Sequence, residues 1–495
     1  MYSDASERPF PHSGDMALMD SIELTTGSVS SPSFPVSGLY ESLAAGMPSP
    51  DLCARAVNYL RACISELKDT YDDLPSSLEG LQDWMQASAE RATVQYGQYL
   101  DGRKAGAPRR YFTNRAHALY FLRVVAPTKL VDGAWLYGLL PHWRNPRLAD
   151  LLRTYVEELG EGAPDKNHVL LYRQLLARYG LDSTEGLDDS FYVQGTIQLA
   201  LACSANEFLP EVIGFNLGYE QLPLHLMITA YELNELGIDP YYFTLHITVD
   251  NSDTGHAKRA VHAVAANMPR IGDAGEFWRR VKDGYKLGNA GTGTCDVIDG
   301  FDIEAEVVRI FSHKSAAGHG AHSDYCRVGG RAVNDWLARA EDIPAFLEAL
   351  KAAGWIRMDM PVGQSRFWQL LQGERAEMFG VFSSYELQVI HDWLRGEASY
   401  DGLAYTEQPT PDGQARRPSF RVAERLAAAR GRRMTTTTPS DDLLDSDLQS
   451  LNTQLPRLDP DGQTALLIEA MAPSLHWTPA GLMATRVFCE RWGAH

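Results

Sequence analysis

From Asp51 to Leu100 apolar residues return every three or four positions, as in Leu52, Ala56, Tyr59, Leu60 and Ile64, a spacing that gathers them on one face of an α-helix. A basic segment containing Gly and Pro, Asp101 to Arg110, interrupts the pattern. It resumes at Tyr111 and runs to about Tyr285, predicting helices over Asn114–Ala126, Gly133–Leu140, Pro146–Leu159, His168–Tyr179, Ser190–Ala205 and Leu209–Leu236, and another from near Pro240 to Met268. Strand-like alternation is scarce and the connections are short, which predicts an all-α chain built around a helix bundle.

The pattern weakens on either side of this region. Residues 1–50, rich in Ser, Pro and Gly, read as a flexible arm. After a bundle over 51–288, residues 289–400 read as an accessory helical region, with helices at Ala332–Ala353 and Ser384–Leu394. Residues 401–495 read as linker and C-terminal tail: Asp401–Pro418 and Thr435–Gln463 are weakly patterned, whereas Thr464–Met471 and the Trp477–Trp492 region have helical character and could dock back on the body.

The composition narrows the functional classes. A net charge of −19 argues against a general nucleic-acid binder, because a polyanion would be repelled. No signal peptide or membrane-length apolar run is seen, so a cytoplasmic location is expected. The six cysteines contain no CxxC pair, which points to scattered buried thiols and not to a zinc ribbon or redox dithiol.

Three stretches carry chemistry. Glu158 falls on the last turn of one predicted helix and His168 opens the next, so a carboxylate and an imidazole can converge across a tight Gly-containing loop. Glu220 follows Tyr219 in an otherwise apolar helix, where a lone carboxylate wants a partner. In His246-Ile-Thr-Val-Asp250-Asn-Ser-Asp253-Thr-Gly-His256, about 100° per residue puts all four side chains on one arc, provided the helix is regular through Gly255. Imidazoles and carboxylates on a buried face are costly without a counter-cation. Such a donor set suits iron or manganese better than zinc.

With these residues in place, the segment from about Tyr111 to Tyr285 resembles the haem-oxygenase-like di-iron oxidases, the iron-containing redox enzymes. The motif order is Glu158, a loop, His168; Tyr219-Glu220; His246 with Asp250; and His256-Ala257. The resemblance implies a seven-helix bundle of the haem-oxygenase type without haem, and two Fe(II) ions held by Glu158, His168, Glu220, His246, Asp250 and His256. Many members place the last His three residues after the Asp, so Asp253 competes with Asp250, which is favoured for its four-residue step from His246. Asp132 falls where some members carry an extra carboxylate. The implied reaction is reductive activation of dioxygen as co-substrate, followed by N-oxygenation or oxidative C–C or C–H chemistry on an amino-acid-like or fatty-acid-like metabolite, in a biosynthetic setting. An external electron donor and a homodimer are compatible with it.

Other features read more plainly. His313, His319, His322 and Cys326 could form a second metal site, but a flexible Gly-rich loop is the simpler reading. Lys258 and Arg259 could meet a substrate carboxylate, against the simpler reading of a solvated face. Tyr137, Tyr172 and Tyr219 could line a pocket, with core packing as the default. Two rivals stand beside the di-iron reading: a helical scaffold or partner-binding protein with a decayed metal site, and a haem-type or cofactor-less oxygenase of the same fold.

Overall fold

In the computed structural model, the described residues are 35–181, 183–249, 255–323, 325–373, 377–396 and 445–493. They are overwhelmingly helical. The chain opens with α1 (Val36–Ala44), α2 (Pro50–Glu66), α3 (Leu81–Lys104), α4 (Arg115–Val124) and the short α5 (Ala126–Lys129). After two 3-10 segments come α6 (Ala149–Glu158), α7 (His168–Tyr179), α8 (Val193–Ser204), α9 (Leu209–Tyr219), α10 (Leu224–Glu235), α11 (Tyr241–Val249), α12 (His256–Asn267) and α13 (Ala274–Leu287). Six more helices follow: α14 (Thr294–Asp299), α15 (Ile303–Gly318), α16 (Val333–Leu337), α17 (Ile343–Ala352), α18 (Arg366–Gln372) and α19 (Ser384–Arg395). A two-residue hairpin, β1 (Arg327–Val328) with β2 (Arg331–Ala332), precedes α16. The chain closes with α20 (Ser446–Gln454), α21 (Pro460–Ala470) and α22 (Pro479–Gly493).

Local signals set several of these boundaries. Asn114 and Asn167 cap α4 and α7, each accepting a backbone N–H in the first turn. Gly180 ends α7 in the left-handed conformation. The predicted helix over Leu209–Leu236 is two helices, because Pro223 cannot continue the hydrogen-bond ladder. The expected helix from Pro240 to Met268 is also divided: α11 ends at Val249, Gly255 is extended (ψ −165°), and His256 starts α12. The regular arc from His246 to His256 is therefore not formed. The arm expectation fails for residues 36–44, since Val36, Leu39, Tyr40 and Leu43 are buried. The weak pattern over Thr435–Gln463 gives way to helix from Ser446 onward.

Buried apolar side chains fall into two cores. One joins α1, α2, α6, α8, α9, α12 and α13 with the C-terminal helices α20 to α22. The other joins α4, α7, α10 and α11 with the elements from α14 to α19. The helices after residue 288 thus share packing with the family-like region. Among the described residues no helix is long and apolar enough to cross a membrane. All six cysteines are free thiols; Cys63 is buried, whereas Cys295 and Cys326 are exposed, contrary to the expectation of uniformly buried thiols.

Candidate metal centre

The polar residues buried where the two cores meet form two overlapping groups. Asp132, Glu158, His168 and His246 make one, and Glu158, Glu220 and His256 the other; in each, one ligand atom per residue lies within 4.8 Å of the rest. Glu158 belongs to both. It ends α6, and His168 begins α7 on the far side of a loop closed by Gly160. Gly160 has φ +63°, and a Cβ there would lie 2.5 Å from the Asn167 nitrogen, so only glycine lets the two helix ends approach. Gly133, with φ +79°, does the same beside Asp132, where a Cβ would lie 3.0 Å from the Glu158 Cβ.

Glu158 Oε2 stands 2.5 Å from His168 Nδ1, yet neither atom has a hydrogen-bond partner of acceptable geometry; Glu220 Oε1 also lacks one. Burying such atoms unsatisfied costs about 1–3 kcal/mol each, more when they are charged. Their close approach without hydrogen-bond alignment is what donors aimed at a shared cation show. His246 points the same way. Its Nδ1 lies 2.8 Å from the Tyr242 carbonyl, which can only accept, so Nδ1 carries the proton. Its Nε2 then presents a lone pair 3.1 Å from Asp132 Oδ2 unless a proton or a metal ion comes between. His256 Nδ1 lies 2.9 Å from Glu220 Oε2 and 3.3 Å from Glu158 Oε1. The donor set of carboxylate oxygens and imidazole nitrogens fits iron.

The electrostatics describe a cluster waiting for positive charge. Burial opposes ionisation of Asp132, but Lys129, His246 and His168 outweigh it and hold the carboxyl well below its usual range. Burial works likewise against Glu158, and His168 overcomes it. Burial, the largest single effect, pushes His168 down, but Glu158 and Asp132 together lift it above an ordinary histidine. Glu220 is raised, by burial and by the nearby Glu158 and Asp132, against the pull of His256. Protons thus share the work that a cation would do.

The structure brings together five of the six expected ligands: Glu158, His168, Glu220, His246 and His256. Asp250 and its competitor Asp253 lie outside the described residues. Asp132, expected only as an extra carboxylate, is a full member, with its Oδ2 also accepting the Tyr242 hydroxyl at 2.6 Å. Neither group contains His313, His319, His322 or Cys326. Arg259 does not wait for a substrate carboxylate; it pairs with Glu157. Tyr172 donates to the Leu122 carbonyl and Tyr219 receives a bond from Gln198, as core residues do. The tyrosine that serves the cluster is Tyr242, whose signal was its four-residue step before His246.

The model of the family described as iron-containing redox enzymes matches residues 119–289. The span includes every residue of both groups. Over that segment the chain carries the pattern of these helical proteins, and an oxidoreductase is the class that pattern and the buried carboxylate–imidazole cluster support together. No match was found among curated proteins or among solved structures.

Proposed function

We propose that the protein is an oxygen-dependent, non-haem oxidoreductase whose two buried donor groups, with Glu158 common to both, would hold two iron ions. The observation that carries this reading is the pair of buried groups sharing that one carboxylate, with orphaned donor atoms in both. Asp132, His168 and His246 would hold one ion, and Glu220 and His256 the other. When bound, ferrous iron supplies the electrons for reducing dioxygen.

The chain's own contribution is position and exclusion. His168 is essentially buried and His256 fully so, which keeps bulk water from the donors. Tyr242 fixes Asp132 through its hydroxyl and His246 through its carbonyl. Lys129 stands over the Tyr219 and Tyr242 rings, 5.7 and 5.9 Å from their centroids, and brings positive charge beside Asp132. The substrate is a small amino-acid-like or fatty-acid-like metabolite, oxidised at nitrogen or at carbon.

The test is metal analysis of protein purified without air, followed by oxygen-consumption measurements. About two irons per chain and iron-dependent oxygen uptake support the reading. A Soret band with stoichiometric haem, or protein that takes up no iron, overturns it.

A further inference from the structure

Glu157 precedes the shared carboxylate in sequence but points to other work. Its Oε2 lies 3.0 Å from His256 Nε2, the ring nitrogen facing away from Glu158 and Glu220. Arg153 binds its other oxygen at 2.7 Å, and Arg259 binds the same oxygen as the histidine does. Glu157 is thus clamped between two guanidinium groups while its free geometry is spent on His256. Three groups, His256, Arg259 and Arg153, thus converge on this one carboxylate.

A neutral imidazole has one N–H and one lone pair. With the proton on Nε2 and donated to Glu157, the Nδ1 lone pair is turned toward Glu158 and Glu220. His256 is served this way; His246, in the first group, is not. His246 gives its outer N–H to a neutral backbone carbonyl, that of Tyr242. An anionic acceptor strengthens the hydrogen bond and the basicity of the ring more than a neutral one does.

We propose that Glu157 is a positioning residue for one metal position alone, fixing the tautomer and orientation of His256 so that the group Glu158–Glu220–His256 binds its ion. This rests on reading the cluster as a two-ion site. Arg153 and Arg259 hold Glu157 in place, and α6 therefore delivers from adjacent residues both the shared carboxylate and the group that orients its histidine neighbour.

The experiment titrates full-length metal-free protein with Co(II), counting bound ions by equilibrium dialysis and following the Co(II) d–d absorption. Wild type should bind two. In Glu157→Ala one position should weaken by about 10–100-fold, with loss of its share of the d–d signal, while the other keeps its affinity. Glu157→Gln, which retains an acceptor without the charge, should weaken the same position by less. Arg153→Met, which removes one of the two guanidinium groups that hold Glu157, should weaken that same position by less than Glu157→Ala does and leave the other unchanged. Should Glu157→Ala fail to fold, Glu157→Gln decides the matter: a loss confined to one position supports the proposal. Unchanged affinity at both positions, or equal loss at both, overturns it. Wild-type protein that binds no Co(II) overturns the two-ion reading, and this proposal with it.

Discussion

The side-chain amide of Asn167 donates to Nδ1 of His476, 3.1 Å away, across 309 positions of sequence. The same amide reaches the Leu159 carbonyl at the end of α6, while its oxygen caps α7 through the Leu170 N–H. One buried residue therefore joins the helix that ends in Glu158, the helix that begins with His168, and the segment leading into α22.

Replacing Asn167 by Ala removes the cap and strands buried partners. The cap is worth about 1 kcal/mol, and each stranded buried group costs a further 1–3 kcal/mol or so. A loss of about 2–4 kcal/mol in urea denaturation is expected, with weaker metal retention because His168 loses its anchorage. A loss below 1 kcal/mol would show that the C-terminal segment does not brace this loop.

Changing His168 or His246 to Ala should abolish metal loading at the group with Asp132 while leaving far-UV circular dichroism unchanged. Glu158→Ala, which touches both groups, should cost both ions. Metal content by mass spectrometry decides. Full iron content in the two histidine variants would count against the ligand assignment.

Gly133→Ala puts a methyl group against the Glu158 side chain and forces an L-residue into φ +79°. A cost of about 1–3 kcal/mol follows from the backbone strain alone. The variant should also load less metal, since Asp132 and Glu158 are pushed apart. Wild-type melting temperature and metal content in this variant would argue that the loop yields freely.

His117 provides a stability probe remote from the cluster. It lies on the buried face of α4, with its Nε2 2.8 Å from the Ile298 carbonyl. Burial pushes its pKa down to about 4, against the smaller upward pull of that bond. Its folded value lies below the unfolded one of 6.5, so the unfolded chain binds the extra proton first. Its contribution is complete above pH 6.5 and is lost as pH falls toward 4, with a slope approaching about 1.4 kcal/mol per pH unit. Urea denaturation of metal-free protein across this window should show a shallower slope for His117→Gln than for wild type. Equal slopes would mean that His117 is not held neutral.

The helical class and most helices of the central region were legible because a one-sided apolar stripe is a local property; α7 was readable to both of its ends. Breaks were harder. Pro223 signalled the division between α9 and α10, yet the surrounding apolar run masked it. Gly255 alone could not announce that α12 begins at His256. Of the cluster, Glu158, His168, Glu220, His246 and His256 were visible as charged or titratable residues in apolar surroundings. Glu157 was hidden beside Glu158, because its role depends on which face of α6 meets α12. Asn167 and His476 had no signal at all, since a contact across such a separation is set only by tertiary packing.

The seam between the two apolar cores runs through the donors. α6, α9 and α12 belong to one core and supply Glu158, Glu220 and His256, while α7 and α11 belong to the other and supply His168 and His246. An ion held by Glu158, His168 and His246 would be a rivet through both halves, so cooperativity itself becomes a readout of occupancy. Stripped of metal, the halves are tied by packing and hydrogen bonds alone and should melt in two resolved steps; once loaded, they should melt as one.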